Sequence, residues 1–175
     1  MPMFDFEFLK GRYDFELSRK DDITNALTMP ITIVSGVGGL LAAMARSFTY
    51  KDPLIWWLFV PLMVADVVSF FGCLIHLARA YHLQTYIYLP LLKDLEVAAE
   101  EFLEFNSYVR STGGEVEETF EGDLRKRIID AADANTKTNE KRTEILRVAR
   151  LWLFAVLWLT ALAGIPYVAD QVLQK

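Results

Sequence analysis

Asp66 is the only charged residue in an apolar run that extends over residues 53–78. An ionisable side chain at the centre of a membrane span costs about 2.5 to 3.5 kcal/mol on insertion scales and is by default treated as functional. Asp66 is therefore expected to have one of two roles. It faces a pore or an oligomer axis, or its protonated or hydrogen-bonded carboxyl holds one helix against another. Hydroxyls at a similar depth are offered by Thr32, Ser35 and Thr160.

No group of residues in the sequence predicts a catalytic site. His76 and His82 lie six residues apart without a cysteine or carboxylate at metal-ligand spacing, and there is no Ser/His/Asp grouping. Cys73 is the single cysteine, which excludes an intrachain disulfide and a cysteine metal cluster, and we expect it to pack between helices. We therefore expect no enzyme activity, no metal and no cofactor.

The glycine-rich stretch 36–39 has neither a preceding strand nor the spacing of a phosphate-binding loop. It belongs instead to a pattern of small residues four apart, which lets membrane helices approach closely. The residues of this stripe and its flank are Ser35, Gly38, Gly39, Ala42 and Ala43. Their spacing predicts helix packing, either against the second span or against another copy of the chain.

Three runs are long enough to cross a bilayer, which takes about 20 residues. Residues 23–45 contain no charge, residues 53–78 contain only Asp66, and residues 151–169 contain none. The sequence therefore predicts an all-α membrane protein with three transmembrane helices, the first two forming a transmembrane hairpin. The net charge of −5 excludes a basic surface for nucleic acid, and direct nucleic-acid binding is not expected.

Basic residues near the span ends predict the orientation. Near the span ends, eleven lysines and arginines lie on the side of the N-terminus and residues 79–150, against three in the 46–52 loop and the tail at 170–175. The positive-inside rule places the first side in the cytoplasm. The first 22 residues are expected to form an amphipathic segment at the cytoplasmic interface, with docking on the cytoplasmic helices or on a neighbouring subunit as the equal alternative.

The segment 79–150 predicts a cytoplasmic helical hairpin with its turn at 111–114. Apolar residues recur at intervals of four and three before the turn, starting at Tyr88 and with Asn106 in one place, and at intervals of four after it, as in a coiled coil or antiparallel helix pair. The expected seam is Leu92, Leu95, Ala99, Phe102, Phe120, Leu124 and Ile128. Both helices are expected to continue unbroken into the adjoining spans.

The polar stretch 133–144 interrupts this apolar pattern with Asn135, Thr136, Thr138 and Asn139. The favoured interpretation is a solvated stretch near the membrane. A hinge, a partner-binding notch and a polar ring around a cytoplasmic vestibule are the alternatives.

Residues 13–31, YDFELSRKDDITNALTMPI, and the glycine-rich span after them resemble the entry to the first span of SLATT-like transmembrane effectors in bacterial antiphage defence. The resemblance extends over residues 13–45 and the general layout. It implies a multi-pass protein of the bacterial inner membrane that forms a pore or disrupts the membrane, and that stays restrained until infection is sensed.

Taken with the sequence, this resemblance leads us to expect a homo-oligomeric, channel-like effector in the lipid bilayer. Its cytoplasmic hairpin is expected to receive a signal or a soluble cytoplasmic partner encoded nearby. Two alternatives are a membrane anchor or scaffold that recruits a soluble partner, and a transporter subunit that uses Asp66 as a proton or ion relay.

Overall fold

The structure is a computed structural model that describes residues 5–82, 85–90, 92–112 and 120–173. It contains four helices, α1 (Phe6–Ser47), α2 (Pro53–His82), α3 (Leu92–Ser111) and α4 (Phe120–Leu173), and no strand in those ranges. Helices α1, α2 and α4 are long and apolar enough to cross a membrane. The prediction of an all-helical chain with three helices of membrane-spanning length is confirmed.

The chain divides into two compact units. The spanning unit comprises residues 21–84 and 140–175, and the accessory unit comprises residues 1–20 and 85–139. The predicted spans all belong to the spanning unit. The expected boundary of the cytoplasmic segment at residue 150 differs from the division of the structure, which falls between residues 139 and 140.

The spanning unit buries one side of each of its helices at alternating intervals of mostly four and three residues. On α1 this seam includes Ile23, Leu27, Pro30, Val34, Val37, Leu41 and Met44; on α2 it is Phe59, Met63, Asp66, Ser69, Cys73, Leu77 and Ala80; on α4 it includes Arg142, Leu146, Ala149, Leu153, Val156, Thr160 and Ala163. An average period of 3.5 residues is the pattern of left-handed coiled coils and of most transmembrane bundles. The three helices therefore pack as a bundle around one shared interior.

The outside of the spanning unit is strongly apolar. Leu54 on α2 is 72% exposed and Trp158 on α4 is 70% exposed, and both belong to a large set of exposed aliphatic and aromatic residues on these helices. Soluble monomers rarely expose so large a continuous apolar surface. Polar residues on the inside and apolar residues on the outside are what a bilayer requires of a helical bundle.

The prediction that the first helix of the 79–150 segment continues unbroken from the second span is wrong. Helix α2 ends at His82 and residues 85–90 are not helical, so the chain does not continue as one helix from the second span. Tyr88, the first predicted seam residue, lies in this link. Pro90 is the local reason, because proline disfavours helical geometry at the residue before it and donates no hydrogen bond. Helix α4 does run unbroken into the third span, as predicted.

Residues 6–22 of the predicted N-terminal segment belong to α1, which begins at Phe6 and continues to Ser47. In the accessory unit, Leu9 and Tyr13 of α1 are buried together with Ile128, Ala131 and Ala132 of α4. Phe8 remains 58% exposed. Part of this segment therefore packs on α4, as the expected docking on the 79–150 helices requires, and its placement at the membrane interface or on a neighbouring subunit stays a prediction.

Candidate functional site

Asp66 and Thr160 meet inside the spanning unit. Asp66 lies on the buried seam of α2 with 0% exposure, and Thr160 lies on the seam of α4 with 7% exposure. The Oγ1 hydroxyl of Thr160 donates a hydrogen bond of 2.7 Å to Oδ2 of Asp66. The other carboxyl oxygen, Oδ1, is buried and has no hydrogen-bond partner in the described part of the chain. This Asp66–Thr160 pair is the candidate functional site.

The apolar surroundings of this pair make the burial of the Asp66 carboxyl energetically costly. The neighbouring seam positions on α4, Val156 and Ala163, are both 0% exposed and offer no side-chain donor. A hydrogen bond strengthens in such a low-dielectric interior, while a buried polar atom left without a partner costs about 1 to 3 kcal/mol. Thr160 therefore holds one carboxyl oxygen in place while the other keeps its capacity to accept a donor.

The chemistry available to the pair follows from these two oxygens. A carboxyl group can hold or release a proton, and its unbonded oxygen can accept a hydrogen bond from water or from an approaching donor. The carboxyl points into the helix bundle, so it does not lie on the outer surface of the spanning unit. A pore shared between copies of the chain would be lined by Asp66 only after α2 turned or separated from α4.

The other two candidate partners of Asp66 are engaged elsewhere. The Thr32 hydroxyl donates to the Thr28 carbonyl oxygen at 3.0 Å, and the Ser35 hydroxyl donates to the Ile31 carbonyl oxygen at 2.9 Å. Both are bonds to the preceding turn of their own helix, which is a common way to satisfy a hydroxyl in a membrane helix. Of the three hydroxyls, Thr160 is the one that binds Asp66.

Most of the small-residue stripe faces away from the other spans. Ser35, Gly39 and Ala43 are exposed, whereas Ala42 is exposed but lines a groove between α1 and α2. A Cβ added at Gly39 would have no described atom within 4 Å outside its own helix. Gly38 differs, because a Cβ there would lie 3.0 Å from Cζ of Phe70 on α2. Within one chain, Gly38 therefore packs on the second span, whereas Gly39 does not.

Two packing residues at the α2–α4 contact complete the interior. A Cβ at Gly72 would lie 2.9 Å from Cδ2 of Trp152, so only glycine lets the indole lie against α2. The buried Cys73 Sγ donates to the Ala149 carbonyl oxygen at 3.5 Å, in keeping with its expected packing role. Sequence reasoning missed Gly72, although an isolated glycine inside an apolar run is a signal of close helix approach.

Arg142 closes one end of the spanning unit. Its side chain is 0% exposed, with Nε donating to the Ala80 carbonyl oxygen at 3.0 Å and Nη2 donating to Thr24 Oγ1 at 3.2 Å. Ala80 is in the last turn of α2, where carbonyl oxygens have no partner within the helix. Arg142 thus supplies one of the missing donors at the end of α2.

Asp170 closes the opposite end. It is 4% exposed and accepts bonds from the Thr49 backbone N–H at 3.0 Å and from the Thr49 hydroxyl at 2.6 Å. Between Arg142 and Asp170, α4 rises about 42 Å, which exceeds the hydrocarbon thickness of about 30 Å. Helix α4 is therefore bonded to α1 and α2 through Arg142, and through Asp170 to Thr49 in the loop that follows α1.

The accessory unit contains a buried polar network that the sequence did not reveal. The Asn135 side chain binds the link backbone at Ile87, and Asn139 accepts from the Tyr86 hydroxyl at 2.5 Å while donating to Oε2 of Glu16 at 2.9 Å. Asn135, Asn139 and Glu16 are each 0% exposed. The expectation of a solvated stretch is therefore wrong at Asn135 and Asn139, because these amides bind residues from the link and from α1.

The predicted seam of the cytoplasmic helices is the less exposed side of α3 and of the start of α4. Leu95, Ala99, Phe102, Phe120 and Leu124 are half-buried, and Ile128 is 2% exposed. The Phe102 and Phe120 rings lie 6.0 Å apart between centroids, which brings α3 beside the start of α4. The Leu92 side chain and the predicted turn beyond Thr112 lie outside the described residues.

In residues 5–82, 85–90, 92–112 and 120–173, no group of three or more His, Cys, Asp or Glu side chains is placed to hold a metal ion. No family model, curated protein or solved structure gives a significant match to the chain.

Proposed function

We propose that this chain is an oligomeric effector of the bacterial inner membrane, channel-like in action, which perturbs or permeabilises the membrane when its accessory unit receives a signal or a partner. The observation that carries the proposal is the enclosed Asp66 carboxyl, bonded on one oxygen to Thr160 and unbonded on the other. A residue so costly to bury is a candidate for work inside the membrane.

The Asp66–Thr160 pair stabilises the resting state. One neutral or charge-assisted hydrogen bond between α2 and α4 contributes about 0.5 to 3 kcal/mol, which is the size of a reversible conformational bias. When α2 and α4 separate, Asp66 becomes available to water and lines the path that opens. Helix α4 contributes residues to both units, so a change in the accessory unit reaches the helix that carries Thr160.

Assembly into a homo-oligomer uses the outward small-residue stripe. A Cβ added at Gly39 would meet no described atom within 4 Å outside its own helix, and Ser35 and Ala43 are exposed on the same helix face. Small residues four apart let two membrane helices approach backbone to backbone. A second copy docked there places several spanning units around one axis.

A role in antiphage defence rests on the resemblance of residues 13–45 to SLATT-like effectors. N-terminal and accessory segments in the cytoplasm follow from the basic residues on that side. A soluble partner encoded nearby is the proposed source of the restraint or of the trigger.

The test is membrane potential in cells. Induction of the wild-type chain is expected to depolarise the inner membrane, measured with a potential-sensitive dye, with and without co-expression of the protein encoded beside it. Asp66→Asn is expected to alter or abolish the depolarisation at equal membrane abundance. Unchanged potential in every combination contradicts the effector proposal.

A membrane anchor or scaffold is the second candidate. It is favoured by the enclosure of Asp66, which leaves the resting spanning unit as a packed bundle, and by a half-exposed apolar seam on the accessory unit that suits recruitment of a soluble protein. An anchor predicts partner binding without any change in potential. A transporter subunit predicts that Asp66→Asn stops proton- or ion-coupled uptake and leaves the potential of resting cells unchanged.

A further inference from the structure

The accessory unit carries a groove between α3 and the first turns of α4. It has a volume of about 280 Å³ and is lined on its apolar side by Pro90, Leu95, Ala98, Phe102, Phe105, Phe120 and Leu124. We propose that this groove binds a cationic amphipathic helix of a partner protein. The proposal rests on the proposed function in one respect, because that function makes such a partner the trigger.

The floor of the groove offers the apolar contact that such a helix needs. Phe105 lines it while remaining 63% exposed, and the half-buried Phe102 stands beside Phe120. Exposed aromatic rings next to a concave apolar surface are typical anchor points for a helix laid in a groove. An aliphatic side chain of the partner would cover Phe105 and remove it from water.

The rim of the groove selects the charge of the partner. Asp94, Glu101 and Asp123 line it, together with Arg127. Arg127 Nε is 2.7 Å from Asp123 Oδ2, so that pair is internally neutralised. No ion pair in the described part of the chain includes Asp94 or Glu101. Two uncompensated carboxylates beside an apolar floor favour lysine or arginine on the partner.

The acidic character continues along α3. Glu101, Glu104, Phe105 and Tyr108 form an adjoining surface that shares Glu101 and Phe105 with the groove. Over its length α3 contains five acidic and two basic residues. The alternation of carboxylates with aromatic rings along one helix is complementary to a helix that alternates lysine or arginine with leucine-like residues.

The experiment uses the full-length chain in nanodiscs of zwitterionic lipid. The probe is a fluorescent synthetic helix of about 18 residues, with leucine on one face and lysine on the other. Its binding is measured by fluorescence anisotropy. A helix with glutamate in place of every lysine and empty nanodiscs serve as probe controls. Selective binding of the lysine helix to the protein is expected.

Two variants locate the binding site. Glu101→Lys is expected to weaken binding about fivefold to tenfold, since an attraction becomes a repulsion. Glu96 lies about 140° around the α3 axis from Glu101, and Glu96→Lys makes the same change of charge there. This variant is expected to keep an affinity within about twofold of the wild-type value. Phe105→Ala, which removes the apolar anchor, is expected to weaken binding about tenfold.

Equal binding of the lysine and glutamate helices, or equal loss of affinity in Glu101→Lys and Glu96→Lys, overturns the groove assignment. Self-association of the chain that Phe105→Ala abolishes also overturns it, because a second copy is then the occupant. Binding needs no membrane permeability. If the lysine helix binds as expected while cells never depolarise, the proposed function fails and the groove assignment stands.

Discussion

The side-chain amide of Asn135 binds the backbone of Ile87 in both directions. Asn135 Nδ2 donates to the Ile87 carbonyl oxygen at 3.0 Å, and Asn135 Oδ1 accepts from the Ile87 N–H at 2.9 Å. A non-helical link must satisfy its backbone groups with side chains or water, and here one asparagine satisfies two of them. Asn135 therefore fixes residues 85–90 on α4.

Replacing Asn135 tests this role. Asn135→Ala removes both bonds and is expected to destabilise the accessory unit by about 2 kcal/mol. Thermal unfolding of the detergent-solubilised chain and protease cleavage in residues 85–90 measure the change. Asn106→Ala, at a half-buried asparagine on α3, is the matched control and is expected to have a much smaller effect. Equal destabilisation by both variants contradicts the role of Asn135.

The orientation of the chain is the second prediction. In a Cys73→Ala background, cysteine at Lys51 is expected to react with an impermeant maleimide in intact cells, because the positive-inside rule predicts that the 46–52 loop lies outside. Cysteine at Ser111 is expected to react only after the inner membrane is opened, because the same rule predicts that the accessory unit is cytoplasmic. Both original residues are exposed, so a lack of reaction reports location and not burial. The reverse pattern contradicts the topology.

Assembly through the outward stripe is the third prediction. Gly39→Leu adds a side chain where the chain itself leaves open space, so the fold is expected to persist while the oligomer weakens. Gly164→Leu adds the same side chain at another open glycine, on α4, and is expected to leave assembly unchanged. Crosslinking in membranes and size in detergent measure the outcome. A monomeric wild-type chain, or an oligomer that Gly39→Leu does not alter, contradicts the prediction.

The sequence predicted the spans well because their signal is local. A run such as residues 151–169 is recognised as a candidate span from its length and its lack of charge. The side of each span that is buried was not predictable in the same way, since a helix that is apolar all round hides its period. Asp66 stood out as the exception, and Thr160 was correctly named among its candidate partners.

The accessory unit shows what local patterns miss. Asn135 and Asn139 interrupt an apolar repeat, and from the sequence alone such polar residues are predicted to be exposed to solvent. Their partners, Ile87 and Glu16, lie 48 and 123 residues away along the chain. Buried amides are satisfied by groups brought together only in the folded state, and that pairing has no spacing signature. Pro90 was the one local signal that the helix would break before α3.

The Asp66–Thr160 pair is the centre of the functional account, and Thr160→Val tests it with almost no change in side-chain volume. Valine keeps the packing of α4 but removes the hydroxyl that donates to Asp66 at 2.7 Å. Under the proposed function, the loss of this bond is expected to cost the resting state about 1 kcal/mol and to shift its equilibrium with the open state about fivefold. Thr32→Val removes a hydroxyl that is bonded only within its own helix and serves as the control.

The most direct measurement is the membrane potential of cells that express the wild type, Thr160→Val or Thr32→Val at equal membrane abundance. Deeper depolarisation is expected with Thr160→Val than with the wild type, and no difference is expected between Thr32→Val and the wild type. The effect of Thr160→Val is expected to be lost when Asp66→Asn is added to it. An unchanged potential with Thr160→Val, or the same change with Thr32→Val, contradicts the claim that the Asp66–Thr160 pair restrains the membrane activity.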